Sequence, residues 1–261
     1  MLVKDLVYWI TERDTVRQKK ESDAPKPWSK DPTFWSTYFC NVRREDDKVT
    51  KWVRENWPHD NVGLVVLARM FNLPAHLEEL IPVTNDWEAM KHKTIQRRAK
   101  NEKIFNGAYL ITTCGVKMDK VDYVYKVAEE SSQLNFEFSS LFDTHNTLRT
   151  ITGLGSFLAA QVVADLKNTE GHPLQKAPDW HTWCAHGPGS VRGINTIEGF
   201  SGTTPNTFQG RIARLWGLTR PELPSELQDI HMQDFQNCLC EFSKYAKVEN
   251  GGRSKRKYNG R

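Results

Sequence analysis

Hydrophobic positions recur along this chain at helical rather than strand spacing. Leu2, Leu6, Trp9, Ile10 and Val16 fall on one face of a helix over residues 2–20. A polar, proline-containing break runs from Asp23 to Pro27. Asp31-Pro32 then has the form of an N-cap followed by proline at the first helical position, with a dense aromatic run behind it, Phe34, Trp35, Tyr38 and Phe39. The pattern predicts further helices from Asp46 to Asn56, stopped by Trp57-Pro58, and from Asn61 to Phe71, which is apolar enough to be buried. Pro74 starts another turn of helix. A polar helix rich in Lys and Arg is predicted from Asp86 to Asn101, and two more from Asp119 to Ser131 and from Glu137 to Thr150.

A glycine pair, Gly153-Leu154-Gly155, interrupts the pattern before a strongly apolar helix from Ser156 to Leu166. From Asn168 to Thr204 the chain reads as irregular and rich in Gly and Pro, longer than an ordinary connection and therefore a candidate functional loop. A short helix from Phe208 to Leu218 and a long one from Leu227 to Tyr245 complete the chain before a basic tail. No run of alternating strands and no internal repeat is apparent, which predicts an all-α fold. The expected division is an N-terminal helix and linker over residues 1–27, a helical domain over 28–250 and the tail over 251–261.

With 261 residues, 38% hydrophobic and 26% charged, the chain has the make-up of a globular protein. No stretch approaches the roughly 18 consecutive apolar residues of a membrane span, and the N-terminus lacks the form of a secretory signal. The five cysteines, Cys40, Cys114, Cys184, Cys238 and Cys240, are odd in number and contain no C-x-x-C pair. A disulfide framework or zinc knuckle is not expected, and the reducing cytosol is the natural compartment. The net charge is +4, yet the last eleven residues alone contain Arg253, Lys255, Arg256, Lys257 and Arg261 without an acid, leaving the rest near −1. Such a tail suits a polyphosphate partner or serves as a solubilising end.

Five segments could carry chemistry. Gly153, Gly155 and Ser156 open an apolar helix, as in the second half of a helix-hairpin-helix, where backbone N–H groups approach a DNA phosphate; a plain turn between packed helices is the alternative. Gln161 and Asp165 share one face of that helix and either serve a substrate or bond neighbouring backbone groups. His186 to Gly193, with Gly187, Gly189, Arg192 and Gly193, is a candidate phosphate cradle or a structural turn, with Asp179 upstream as a candidate base. Asn41, Arg44 and Asp47 stand near a helix start, facing a site or merely solvated. Glu241 and Lys244 are spaced for a site pair or a surface ion pair. His181 and His186 flank Trp183 and Cys184 at a spacing that fits no standard zinc pattern. G-x-S-x-G, H-E-x-x-H, G-x-G-x-x-G and P-loop motifs are absent.

Taken together and in order, these segments resemble one family. They are Phe39-Cys40-Asn41-Val42 with Arg44-Glu45 and Asp47-Lys48-Val49-Thr50; Gly153 to Ala159 with Gln161 and Asp165; Gly187-Pro188-Gly189 with Arg192-Gly193; and Leu239-Cys240-Glu241-Phe242 with Lys244-Tyr245. The chain is similar to the phage α-glutamyl/putrescinyl thymine pyrophosphorylases, or amino acid:DNA transferases, relatives of the helical domain of 5-hydroxymethyluridine DNA kinases. The resemblance implies a fold like that of helix-hairpin-helix DNA glycosylases and a setting in the cytoplasm of a phage-infected host. The implied substrate is double-stranded DNA whose thymine 5-methyl carries a pyrophosphate, which the amine of an amino acid or polyamine displaces.

On that reading Arg192 and the glycines would receive pyrophosphate, and Asp179, Asp165 or Asp47 would accept the amine's proton. Gly153, Gly155, Ser156 and the tail residues Arg253, Lys255, Arg256 and Lys257 would contact DNA. No cofactor is obligatory, although Mg²⁺ suits a pyrophosphate leaving group. With no nucleotide-kinase module in the sequence, a 5-hydroxymethyluridine DNA kinase would be a separate partner. Two rival expectations are a base-excision glycosylase, for which no lysine close behind Gly153 supplies a lyase nucleophile, and a non-catalytic DNA-binding subunit.

Overall fold

The computed structural model describes residues 3–107 and 111–253, and every regular element among them is helical. The chain divides into two compact units, one formed by Met1–Asp47 with His181–Arg261 and the other by Lys48–Trp180.

The first unit contains α1 (Val3–Glu21), α2 (Pro32–Ser36), α10 (Pro188–Glu198), α11 (Pro205–Thr219) and α12 (Met232–Glu249). The intervening helices belong to the second unit. Asp31 caps α2 by accepting the Thr33 N–H at 2.8 Å, and Pro32 follows it, as the sequence predicts. The aromatic run supplies a core. Trp9 meets Phe39 edge-on at 5.7 Å, Phe34 lies 5.2 Å from Phe39, and Tyr245 of α12 lies 5.8 Å from Phe34. Phe208, Phe235, Leu239 and Phe242 extend that core beneath α11 and α12.

Helix α10 corrects the expected loop. The stretch from Asn168 to Thr204 contains a 3-10 turn over Pro173–Lys176 and then eleven residues of α-helix. Pro188 starts α10 at a position where its missing N–H is harmless. Glycine is a poor helix former, so the reason for this helix is tertiary. A Cβ on Gly193 would stand 2.2 Å from the Leu239 carbonyl oxygen, and one on Gly189 would stand 2.1 Å from Cys240 Sγ. The two glycines let α10 lie directly against α12.

The second unit contains α3 (Lys48–Asn56), α4 (Val62–Phe71), α5 (Pro74–Leu80), α6 (Trp87–Ala99), α7 (Lys120–Ser132), α8 (Leu141–Leu148) and α9 (Ser156–Asn168). Residues 63–71 of α4 are all buried. Asn61 caps its start and Asn72, in a left-handed conformation at φ 50°, ends it. Gly63 lets α4 approach α7, since a Cβ there would stand 2.3 Å from the Ala128 carbonyl oxygen.

Helix α8 begins at Leu141 rather than Glu137, because Phe138 is left-handed and Ser140 caps the helix. Likewise α12 starts at Met232 rather than Leu227, after a short 3-10 turn over Ser225–Leu227. The segment from Asp46 also differs, with a 3-10 turn over Arg44–Asp46 preceding α3.

Candidate functional site

Within the first unit, α10 and α12 wall a cavity of about 1040 Å³. Arg192, Asn195 and Thr196 face it from α10, and Cys240, Glu241, Lys244 and Lys247 from α12. Both sets recur every three or four residues, the spacing that aligns side chains along one helical face. Phe200, just past the left-handed C-cap Gly199, and Arg253, beyond α12, also line it.

The cavity is strongly cationic. Arg192, Lys244, Lys247 and Arg253 stand against the single carboxylate of Glu241 among its described lining residues. The side chains of Arg192, Lys247 and Arg253 make no hydrogen bond or ion pair among the described residues, which leaves their charge available to an anion. Lys244 is more committed. Its Nζ donates to the Tyr38 carbonyl at 2.8 Å and to Glu241 Oε2 at 2.6 Å, and it lies 5.0 Å from the Phe39 ring centre.

Glu241 is 8% exposed. Its Oε2 also accepts the Cys40 N–H at 2.9 Å, while Oε1 accepts no hydrogen bond among the described residues. One carboxylate oxygen is thus fixed and the other is open to a proton donor. Burial, then Glu241, push the Cys240 thiol above its usual range, so it stays protonated at neutral pH and is a poor nucleophile.

The other residues singled out in the sequence have definite places. Asn41 accepts from the Arg13 guanidinium and donates to the Asp46 carbonyl at 2.9 Å, which braces the turn ahead of α3. From that turn the Arg44 N–H donates to Asp234 Oδ1 at 2.9 Å and its guanidinium reaches Asn237 Oδ1 at 3.3 Å. Asp47 follows the turn, its N–H bonded to the Arg44 carbonyl at 3.1 Å. Gly187 is the N-cap of α10, whereas Gly189 and Gly193 are packing positions against α12.

In the second unit, Asp165 of α9 receives a bidentate ion pair from Arg69, and Gln161 lies buried one turn earlier. Asp179 accepts the N–H groups of Leu141 at 2.8 Å and Phe142 at 3.0 Å, capping α8. Gly153, Gly155 and Ser156 form the turn of an α8–α9 hairpin. Gly153 has φ 111°, and a Cβ there would stand 2.6 Å from the Tyr123 hydroxyl. Phe142 and Phe157 at the two helix starts are each 55% exposed.

The cavity therefore unites Arg192, Glu241, Lys244 and Arg253, and the remaining selections are dispersed over both units. Lys255, Arg256 and Lys257 lie outside the described residues. Sequence reasoning missed Asn195, Thr196, Phe200 and Lys247; the spacing of Lys247 from Lys244 was the available signal, since the segment holding the other three was not expected to be helical. It also missed Arg69, which stands out as the one charge in the apolar run from Val62 to Phe71.

Among the described residues no group of three or more His, Cys, Asp or Glu is placed to hold a metal ion, and no helix is long and apolar enough to cross a membrane. No curated protein and no solved structure matches the chain. A family model does match, over residues 1–254, and so includes the first 27 residues, which carry none of the motifs quoted above. With nearly the whole chain covered, this protein belongs to the family of the 5-hmdU DNA kinase helical domain, which ties it to thymine modification in DNA.

Proposed function

We propose that this protein is an amino acid (or polyamine):DNA transferase that displaces pyrophosphate from 5-pyrophosphorylmethyl-deoxyuridine in DNA. The observation that carries the reading is the cavity of the first unit, with three cations that have no partner among the described residues and one half-open carboxylate. Family membership supports a modified uracil in DNA as the setting. The motifs shared with the thymine pyrophosphorylases support the finer reaction.

The amine nitrogen attacks the methylene carbon attached to the ring. The carbon–oxygen bond breaks, and its electron pair leaves with pyrophosphate. Arg192, Lys247 and Arg253 neutralise the departing charge. Glu241 Oε1 accepts the proton that the new carbon–nitrogen bond makes acidic, the role first sought in Asp179, Asp165 and Asp47. The reacting carbon lies at a base edge, so the nucleotide must leave the stack to reach the cavity. The α8–α9 hairpin, with its glycine turn, suits contact with the DNA backbone and accords with a helix-hairpin-helix glycosylase-like fold.

The test is incubation of the full chain with DNA containing pyrophosphorylated hydroxymethyluracil, a pool of amino acids and polyamines, and Mg²⁺ or EDTA, followed by nucleoside mass spectrometry. A nucleoside with an amine in place of pyrophosphate is expected, and Arg192→Ala should lower turnover about a hundredfold. Abasic sites instead would identify a glycosylase.

A second reading, a DNA-binding subunit for a separate 5-hydroxymethyluridine DNA kinase, is favoured by the family's description as a helical domain of such a kinase. It predicts salt-dependent DNA binding and unchanged nucleosides with every amine.

A further inference from the structure

Phe200 is 61% exposed, the most exposed of the large hydrophobic side chains among the described residues. Leaving a phenyl ring in water is unfavourable, and a single exposed aromatic needs no special cause. This one is different because its surroundings fix it. The left-handed Gly199 ends α10 and turns the chain, and the Phe200 N–H bonds back to the Asn195 carbonyl at 3.2 Å. Gly202 folds against the ring, and a Cβ there would stand 2.1 Å from Cε1.

The Arg211 guanidinium lies over the ring, 5.0 Å from its centre. Arg211 is itself held by the Glu198 carboxylate and by Thr203 Oγ1 at 2.7 Å, and Thr203 bonds to Asn195 at 2.5 Å. The ring is therefore a rigid platform, backed by a cation, on the wall of a cavity that also carries Arg192, Lys247 and Arg253.

An aromatic surface beside cations is complementary to a nucleotide, whose base has a π face and whose phosphates are anionic. A volume of about 1040 Å³ is at the upper end of the roughly 300–1,000 Å³ of small-molecule sites, with room for a nucleotide and a small amine together. We infer that Phe200 is the stacking platform for the unstacked pyrimidine of that nucleotide, seating it while Arg192, Lys247 and Arg253 take the phosphates. The inference rests on the cavity being the nucleotide site proposed above, and it assigns base recognition to a residue outside the motifs read from the sequence.

The experiment is equilibrium binding of the full chain to a labelled single-stranded oligonucleotide with one central 5-phosphomethyl-deoxyuridine, beside the same strand with an abasic residue there. Phe200→Ala is expected to weaken binding of the base-bearing strand about five- to a hundredfold and to leave the abasic strand unaffected. Phe200→Trp should restore it. Equal weakening on both strands, or none on either, would overturn the stacking role. If Arg192→Ala/Lys247→Ala weakens binding while Phe200→Ala does not, the cavity reading survives and the platform alone falls. If the double variant binds as tightly as the wild type, the cavity reading fails with it. Thermal melts of each variant separate these outcomes from loss of fold.

Discussion

Arg69 on α4 and Asp165 on α9 are joined by a buried bidentate ion pair, with Nε and one terminal nitrogen each donating to a different carboxylate oxygen. Thr50 completes it by accepting from the same guanidinium at 3.0 Å. Removing one partner strands a charge away from water. Arg69→Met is expected to destabilise the second unit by about 3–5 kcal/mol in urea unfolding, and Arg69→Met/Asp165→Leu to recover most of that loss. A structural Asp165 also predicts that Asp165→Asn loses stability and turnover in parallel. Full stability with abolished turnover would return it to the chemistry.

The close approach of α10 and α12 separates glycines that must be glycine from those that need not be. Gly193→Ala places a methyl group into the Leu239 carbonyl, and overpacking of this kind costs about 1–3 kcal/mol. Gly210 and Gly217 lie inside α11 with open space at their Cβ positions, so alanine there should stabilise by roughly 0.5–1 kcal/mol. Thermal melts of the three single variants make the comparison. A neutral Gly193→Ala would show that the two helices can separate without loss.

Asp179 offers a sharper choice between two roles. Its two oxygens hold the first N–H groups of α8, so Asp179→Ala should cost about 1 kcal/mol, as cap removals do. Asp179→Asn, which keeps one acceptor, should cost less. Catalysis by Asp179 predicts the reverse weighting, with both variants losing turnover alike at unchanged melting temperature.

Two histidines of the second unit make its stability depend on pH. Burial, with Arg97 nearby, lowers the His76 pKa to about 4, and burial, with His59 nearby, lowers that of His172 to about 4. The unfolded chain takes up protons near the ordinary value of about 6.5, whereas the folded chain resists until about 4. The neutral-histidine contribution is therefore complete above pH 6.5 and is lost as the pH falls to 4. His172 Nδ1 also accepts the Leu174 N–H at 3.2 Å, which asparagine can replace. His172→Asn should thus keep the turn and remove up to one proton from the slope, about 1.4 kcal/mol per pH unit. An unchanged slope between pH 6.5 and 4 would refute the assignment.

Much of this architecture was legible because helix starts are written locally. Asp31-Pro32, Asn61, Asp86 and Asp119 cap N–H groups two or three residues further on, and a local pattern reveals them. Helix α10 was not legible, because a Gly-Pro-Gly segment is helical only when α12 lies against it, about fifty residues further on. The site followed the same rule. Arg192 stood out beside its glycines, but Lys247 and Phe200 acquire meaning only once α10 and α12 face one another. Asp165 announced that it needed a partner, and the partner lay 96 residues earlier.

The first unit is assembled from the two ends of the chain, with the second emerging whole between them. During synthesis, residues 48–180 have all their internal partners once Trp180 has been made. The earlier segment with Trp9, Phe34 and Phe39 must wait for α12, and the bond from Thr33 to Glu249 spans 216 residues. Such long-range closure is slow and leaves apolar surface uncovered in the meantime. The nascent chain thus has an early aromatic segment that needs shelter from aggregation until α12 arrives, and the cavity walled by that helix forms later than any feature of the second unit.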